Sequence, residues 1–512
     1  MAAHSLLITN GTVYDHDGDT DRPMIADILV HGGNITEVGS GIAQRLARAG
    51  ERVDETLDAT GKLVLPGFVN AHYHSHDVLM KGAWETPPLE IWLMKALPPS
   101  YPKRSREEIR ARALLGAWEC LRGGITTIQD MVTLAPWDAD HLDALLEAYD
   151  DIGIRAIVAL QFADIPGISS IPFWEELVPR EHHGVLSGGT EPPKENIDLV
   201  DLIEAQYRRH AGRHPRITWG LGPSGPERCT RGFLERIAAL SERDNLPVYT
   251  HIYEGKYMAL HARQKFSAHG GSLVNWLGEV GLLNPRMNLA HSVWLLPQEI
   301  ERLAATGTNT VINPVGNLKT RSGVAPVRQL LDAGVNTALG CDNCSCSDAQ
   351  NMFQAMKLFV GLTAVSDPEP GPPGARDALR AATLAGARGA RLEGRLGAIK
   401  PGFAADFSLI DLSDPSFVPF NSAARQVVYT ESGRAVRSVV VDGRVVLRDG
   451  RLTMVDEDAL RRTVEEVMVG LRRDMADVGA RVDNIHSYLM QAYRRVWASD
   501  VGINRYVGNG RL

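Results

Sequence analysis

Eight short apolar runs, separated by segments of helix length, constrain this chain more than any other feature. The runs are "FVNAHYH", "ITTIQDM", "IRAIVAL", "ITWGLG", "PVYTHIY", "RMNLAHS", "NTVINP" and "VNTALGCD". Between them lie stretches such as "REEIRARALLGAWECLRG", "RGFLERIAALSERDN", "LPQEIERLAATG" and "VAPVRQLLDAG", whose apolar residues recur at helical spacing and which close on Gly or Asn. Strand alternating with helix implies a parallel sheet, and eight such units predict a closed (β/α)8 TIM barrel. A doubly wound open sheet is the structural alternative.

The 512 residues exceed one barrel, and the flanks account for the excess. "SLLITNGTVYD" and "ADILVHGGNITEVG" read as strands punctuated by Asn-Gly and Gly-Gly, and "KPGFAADFSLIDL" and "VRSVVVDGRVVLRDGRL" read as strands again near the other end. We therefore expect a small β-sandwich domain formed by both termini, residues 1–66 plus 397–454. The barrel is expected over 67–396 and a C-terminal helical extension over 455–512. Apolar content of 44% and charged content of 23% fit a folded globular protein, and a net charge of −8 argues against nucleic acid or an anionic membrane as partner. Residues 1–20 lack a basic start followed by an apolar run, no segment has the apolar length of a membrane helix, and five cysteines suit no paired framework. A cytoplasmic enzyme acting on a small molecule is expected.

The strongest chemical signal is "NAHYHSHD". His72 and His74 sit two apart at the end of the first strand, so both side chains leave the same face and can grip one ion. A His-x-His pair alone is only suggestive. His251 ends strand five, His291 ends strand six and Asp342 ends strand eight, each at the end of the barrel where active sites lie. A lone histidine at such a position is more often a hydrogen-bonded core residue; five joint placements reverse that judgement. Glu254, three residues past His251, falls in the following loop, where a carboxylate can shuttle a proton.

Together "PGFVNAHYH", "HIYE", "LAHSVWL", "NPVGNLK" and "ALGCDN" resemble the amidohydrolase superfamily, in particular its cytosine deaminase-like branch of deaminases and triazine hydrolases. The resemblance runs from about Leu6 to Leu452 and implies a distorted barrel flanked by a β-sandwich. It makes His72, His74, His251 and Asp342 ligands of one divalent metal ion, zinc foremost and Fe(II) as the alternative. Glu254 becomes the proton shuttle, and His291 and Asp342 assist the water. Two-metal relatives carry a lysine on strand four; "ITWGLGPSG" has none, so one ion is expected. The implied reaction is removal of an amino group from a small N-heterocycle. Hydrolysis of a halide, amide, imide or urea bond is the alternative, and a non-catalytic binding barrel is a third reading disfavoured by the intact ligand set. Relatives are commonly oligomers, which implies a homo-oligomer here.

The chain also departs from that pattern. Ser224 and Ile312 stand where many deaminases have histidine, which makes a purine nucleoside less expected. Candidate substrate contacts are Trp84, Ser224, Asn313 and His76; Trp92 is expected in the core of a helix. Cys341, Cys344 and Cys346 crowd behind Asp342, and packing is favoured over a second metal because no fourth ligand lies nearby.

Overall fold

The computed structural model describes residues 4–183 and 198–506. Each of the eight runs forms a parallel barrel strand, over Phe68–His74, Ile125–Val132, Arg155–Phe162, Ile217–Pro223, Val248–Ile252, Met287–His291, Asn309–Ile312 and Thr337–Leu339. They pair in chain order. The ring closes because strand eight resumes at Asp342–Asn343, which pairs with Tyr73 and His74 of strand one. A buried amide network locks this seam. Asn70 donates to Gln350 (2.7 Å) and accepts from the Cys341 N–H (2.8 Å), while Gln350 donates to the Asp342 carbonyl (2.8 Å). The open-sheet alternative is thereby excluded.

The flanking strands form one nine-stranded sheet. Its two contributions meet where Lys62–Pro66 pairs antiparallel with Phe407–Asp411. Leu6, Ile8, Ile28 and Val30 from the N-terminal strands share one apolar cluster with Phe407, Leu409, Val440 and Val445, so the sheet folds over its own core. A buried ion pair ties it to the barrel: Arg155 Nε meets Asp406 Oδ2 at 2.8 Å.

The long helix Glu457–Ala498 begins at an Asp456 cap whose side chain accepts from two backbone N–H groups. At 42 residues it spans about 63 Å. Its buried face (Leu471, Val478, Val482, Ile485, Leu489) packs on this chain's own barrel. Leu471, Val478 and Val482 cluster with Met80 and Tyr101 from the region after strand one, and Ile485, Leu489 and Val496 join the main core. Beyond the helix, the Arg505 carbonyl accepts from Val324 N at 2.8 Å. Among the described residues no helix is long and apolar enough to cross a membrane.

Candidate active site

At the C-terminal mouth of the barrel, His72, His74, His251, His291 and Asp342 come together from four strands, all 8% exposed or less. Strand pleating turns His72 and His74 to the same side. His291 and Asp342 are carried inward by left-handed backbone, φ 71° and 64°, a conformation that costs about 1–3 kcal/mol at a non-glycine residue and persists where surrounding structure enforces it.

Three imidazole nitrogens converge. His74 Nε2 lies 3.2 Å from His72 Nε2 and 3.2 Å from His251 Nε2. The tautomers of two rings follow from their other nitrogens. His74 Nδ1 donates to the Met131 carbonyl at 3.0 Å and His251 Nδ1 to the Ser224 carbonyl at 2.6 Å. A carbonyl only accepts, so the protons sit on Nδ1, and the two Nε2 atoms present lone pairs to each other. Facing lone pairs repel unless a cation lies between them. Tetrahedral Zn–N bonds of about 2.0–2.1 Å would set neighbouring ligand atoms about 3.3 Å apart. Asp342 Oδ1 completes the set, 3.4 Å from His72 Nε2 and 3.7 Å from His74 Nε2. These residues fit a divalent metal ion: among the described residues the three groups of side chains close enough to share one overlap here, His72 with His251 and His291, His72 with His74 and Asp342, and Glu254 with His291 and Asp342.

Electrostatics agrees with the assignment. Burial, then the neighbouring histidines, lowers His251 well below the usual imidazole range, and burial first of all takes His74 and His291 down to about 3. The rings are neutral, as ligands must be. Burial alone would raise Asp342, but His291, His72 and His74 hold it well below the usual carboxylate range. Glu254 shifts the other way, pushed up by burial and then by the Asp342 charge, so it can carry a proton. Its Oε2 lies 3.4 Å from His291 Nε2.

His291 is oriented by two residues. Asn313 Nδ2 (3.3 Å) and Asn317 Nδ2 (3.0 Å) both approach its Nδ1. With Nδ1 accepting, the proton sits on Nε2, a buried atom with no hydrogen-bond partner among the described residues. Asn313 thus lies behind His291. Sequence reading did not single out Asn317, although its place one helical turn after Asn313 on Pro314–Lys319 was the available signal.

The remaining candidates are scattered around the mouth. His76 Nε2 meets Asn343 Nδ2 at 3.1 Å, and its ring lies 5.3 Å from that of His74. The Ser224 hydroxyl accepts from Gln161 at 3.0 Å, while its carbonyl serves His251. Trp84 is half-buried beside Met80 and the C-terminal helix. Trp92 is a core residue of helix Leu89–Ala96, its Nε1 donating to Ser345 Oγ at 2.8 Å. Cys341, Cys344 and Cys346 are buried free thiols, and no cysteine belongs to a ligand cluster among the described residues. Sequence reading also passed over Asp77. It accepts from Cys344 N (3.1 Å) and Ser345 N (2.9 Å), and so ties the loop after strand one to the segment after Asp342.

Comparison with known proteins adds the lineage. The model of the amidohydrolase family matches residues 63–446. The chain is 31% identical over 466 residues to 5'-deoxyadenosine deaminase of Methanothermobacter thermautotrophicus, covering 91% of this chain and 98% of that one. It is 30% identical over 455 residues to 5-methylthioadenosine/S-adenosylhomocysteine deaminase of Pyrococcus furiosus, covering 89% and 98%. Among solved structures, an adenosine deaminase from Xanthomonas campestris with bound zinc superposes with a TM-score of 0.78 at 25% identity, over 92% of this chain and 99% of that one. Atrazine chlorohydrolase from Arthrobacter aurescens complexed with zinc gives 0.78 at 26% identity, over 90% and 99%.

Proposed function

Because the chain belongs to the amidohydrolase family, we propose that it hydrolytically removes an exocyclic amino group from a small N-heterocycle, using one divalent ion, zinc, held by His72, His74, His251 and Asp342. The observation that carries this reading is the convergence of His72, His74 and His251 ring nitrogens with the Asp342 carboxyl, and the Glu254 carboxyl beside them, 3.4 Å from His291 Nε2. A divalent ion held there would supply Lewis-acid activation of a water near neutral pH.

The chain's own residues do the rest. Glu254 is placed to take a proton from the attacking water and return it to the departing nitrogen, a poor leaving group that needs one. His291 offers its Nε2–H to charge developing on the ring, with Asn313 and Asn317 keeping that proton on the correct nitrogen. Asp342, whose Oδ2 faces His291 Nδ1 at 3.9 Å, remains a carboxylate that can accept the second water proton.

The deaminase relatives support amine loss, and 5'-modified adenosines head the substrate panel because two of those relatives are named for them. The absent strand-four histidine, replaced by Ser224, keeps other amino-substituted purines, pyrimidines and triazines on that panel. The test is ammonia release from the panel by protein carrying one equivalent of zinc. Release from one ring class establishes the reaction. The structural likeness to atrazine chlorohydrolase favours chloride displacement as the second reading; chloride release from a chlorotriazine without ammonia release from any amine would replace the first. We further propose a cytoplasmic homo-oligomer, for which Val469, 62% exposed on the outer face of the C-terminal helix, offers an apolar contact; sedimentation at micromolar concentration reads the state.

A further inference from the structure

The loop after strand four holds a buried ion pair that the proposed chemistry does not use. Arg228 Nε lies 3.0 Å from Glu227 Oε1, with the Arg228 side chain 9% exposed and that of Glu227 fully covered. Gly225 makes room for the pair: a Cβ there would stand 2.7 Å from Arg228 Nη2 and 2.9 Å from Glu227 Oε1. From this position Arg228 Nη2 donates to the Ser224 carbonyl at 3.1 Å. The same oxygen accepts from His251 Nδ1 at 2.6 Å and from His251 N at 3.3 Å.

We propose that Arg228, braced by Glu227, is a positioning residue that pins the Ser224 carbonyl so that His251 presents Nε2 to the metal ion. The carbonyl precedes a glycine, whose missing side chain would otherwise leave the Ser224–Gly225 peptide free to rotate. Arg228 removes that freedom. Glu227 has a separate task. Three neutral imidazoles and one carboxylate leave a bound dication with excess positive charge, and an unbalanced guanidinium beside it would oppose binding. Glu227 cancels that charge, and neither of its buried oxygens has a hydrogen-bond partner among the described residues to compete for it. Groups behind metal-ligating histidines commonly govern affinity by about 10–100-fold.

The inference rests on the proposed function only in taking His251 as a ligand. Its test is the equilibrium affinity for Zn(II), measured by competition with a chromophoric chelator, together with the visible spectrum of the Co(II)-loaded protein. The double variant Arg228→Met/Glu227→Gln removes both charges at once and leaves no unpaired buried ion. Gly225→Ala displaces the pair sterically with both charges retained. We expect each variant, folded by circular dichroism, to bind Zn(II) at least tenfold more weakly and to show an altered cobalt spectrum. Loss of affinity in Gly225→Ala alone suffices if the double variant does not fold. Wild-type affinity and spectrum in a folded variant would overturn the positioning role. Failure of the wild-type protein to bind Zn(II) would instead overturn the proposed function.

Discussion

Gly316 offers a sharp test of the cage because its replacement pits a local gain against a functional loss. The residue lies inside helix Pro314–Lys319, on the face turned toward strand eight. A Cβ at 316 would stand 2.9 Å from Asp342 Oδ2 and 3.1 Å from Cys346 Sγ, so Gly316→Ala forces the carboxylate oxygen back by about 0.5 Å and the thiol by about 0.3 Å to reach ordinary contact. Asp342 cannot move as a whole, since Gln350 holds its carbonyl at 2.8 Å and strand pairing holds its backbone. The carboxylate must rotate instead. Metal–ligand distances tolerate about 0.2 Å, less than the displacement required. On stability the terms nearly offset: alanine gains about 1 kcal/mol of helix propensity over glycine, while overpacking a buried site costs about 1–3 kcal/mol. The melting temperature of the metal-free protein should therefore fall by only a few degrees. Zn(II) affinity should fall at least tenfold. Calorimetry of the metal-free variant and chelator competition read the two effects separately. A variant that melts normally and binds Zn(II) with wild-type affinity would refute the claim that Asp342 is a ligand held in place by this contact.

Other perturbations separate holding the ion from moving the proton. His72→Ala should lose zinc, measured by elemental analysis, and turnover with it. Glu254→Gln should keep one zinc per chain yet lose about 10²–10⁴ in kcat, and retained turnover would remove Glu254 from the proton path. Asn317→Leu should leave zinc content unchanged and lower kcat by about tenfold or more, because one of the two amide donors to His291 Nδ1 is gone. Glu90 provides a pH signature: burial raises it to about 7, so the folded state holds its proton more tightly than the unfolded chain does. Stability must then fall as pH rises from about 4.5 toward 7. Glu90→Gln removes that loss, and should stabilise the protein in urea by up to about 3 kcal/mol at pH 8 while changing little at pH 4.5.

The barrel was legible because each strand carries its own evidence, an apolar run with a helix and a turn after it. The four histidines and Asp342 were legible for a related reason: strand periodicity and barrel geometry convert sequence position directly into side-chain direction. Legibility failed where position depends on the main chain or on a distant partner. Ser224 drew notice for its side chain, yet it is its carbonyl that holds His251, and every residue type has the same carbonyl. Arg228 and Glu227 drew no notice, because nothing local shows that Gly225 clears a buried space for them. The C-terminal extension was legible as a helix, but what covers it was not; Leu471, Val478 and Val482 find Met80 and Tyr101 nearly 400 residues away in the chain. That placement bears on chemistry. The helix rests on the segment after strand one, and Asp77 in that segment reaches across to Cys344 and Ser345 just past Asp342. A cage drawn from four strands keeps its dimensions only if the loops that leave those strands are themselves fixed. The covering helix and the Asp77 link supply that constraint from outside the barrel, where no ligand motif would direct attention.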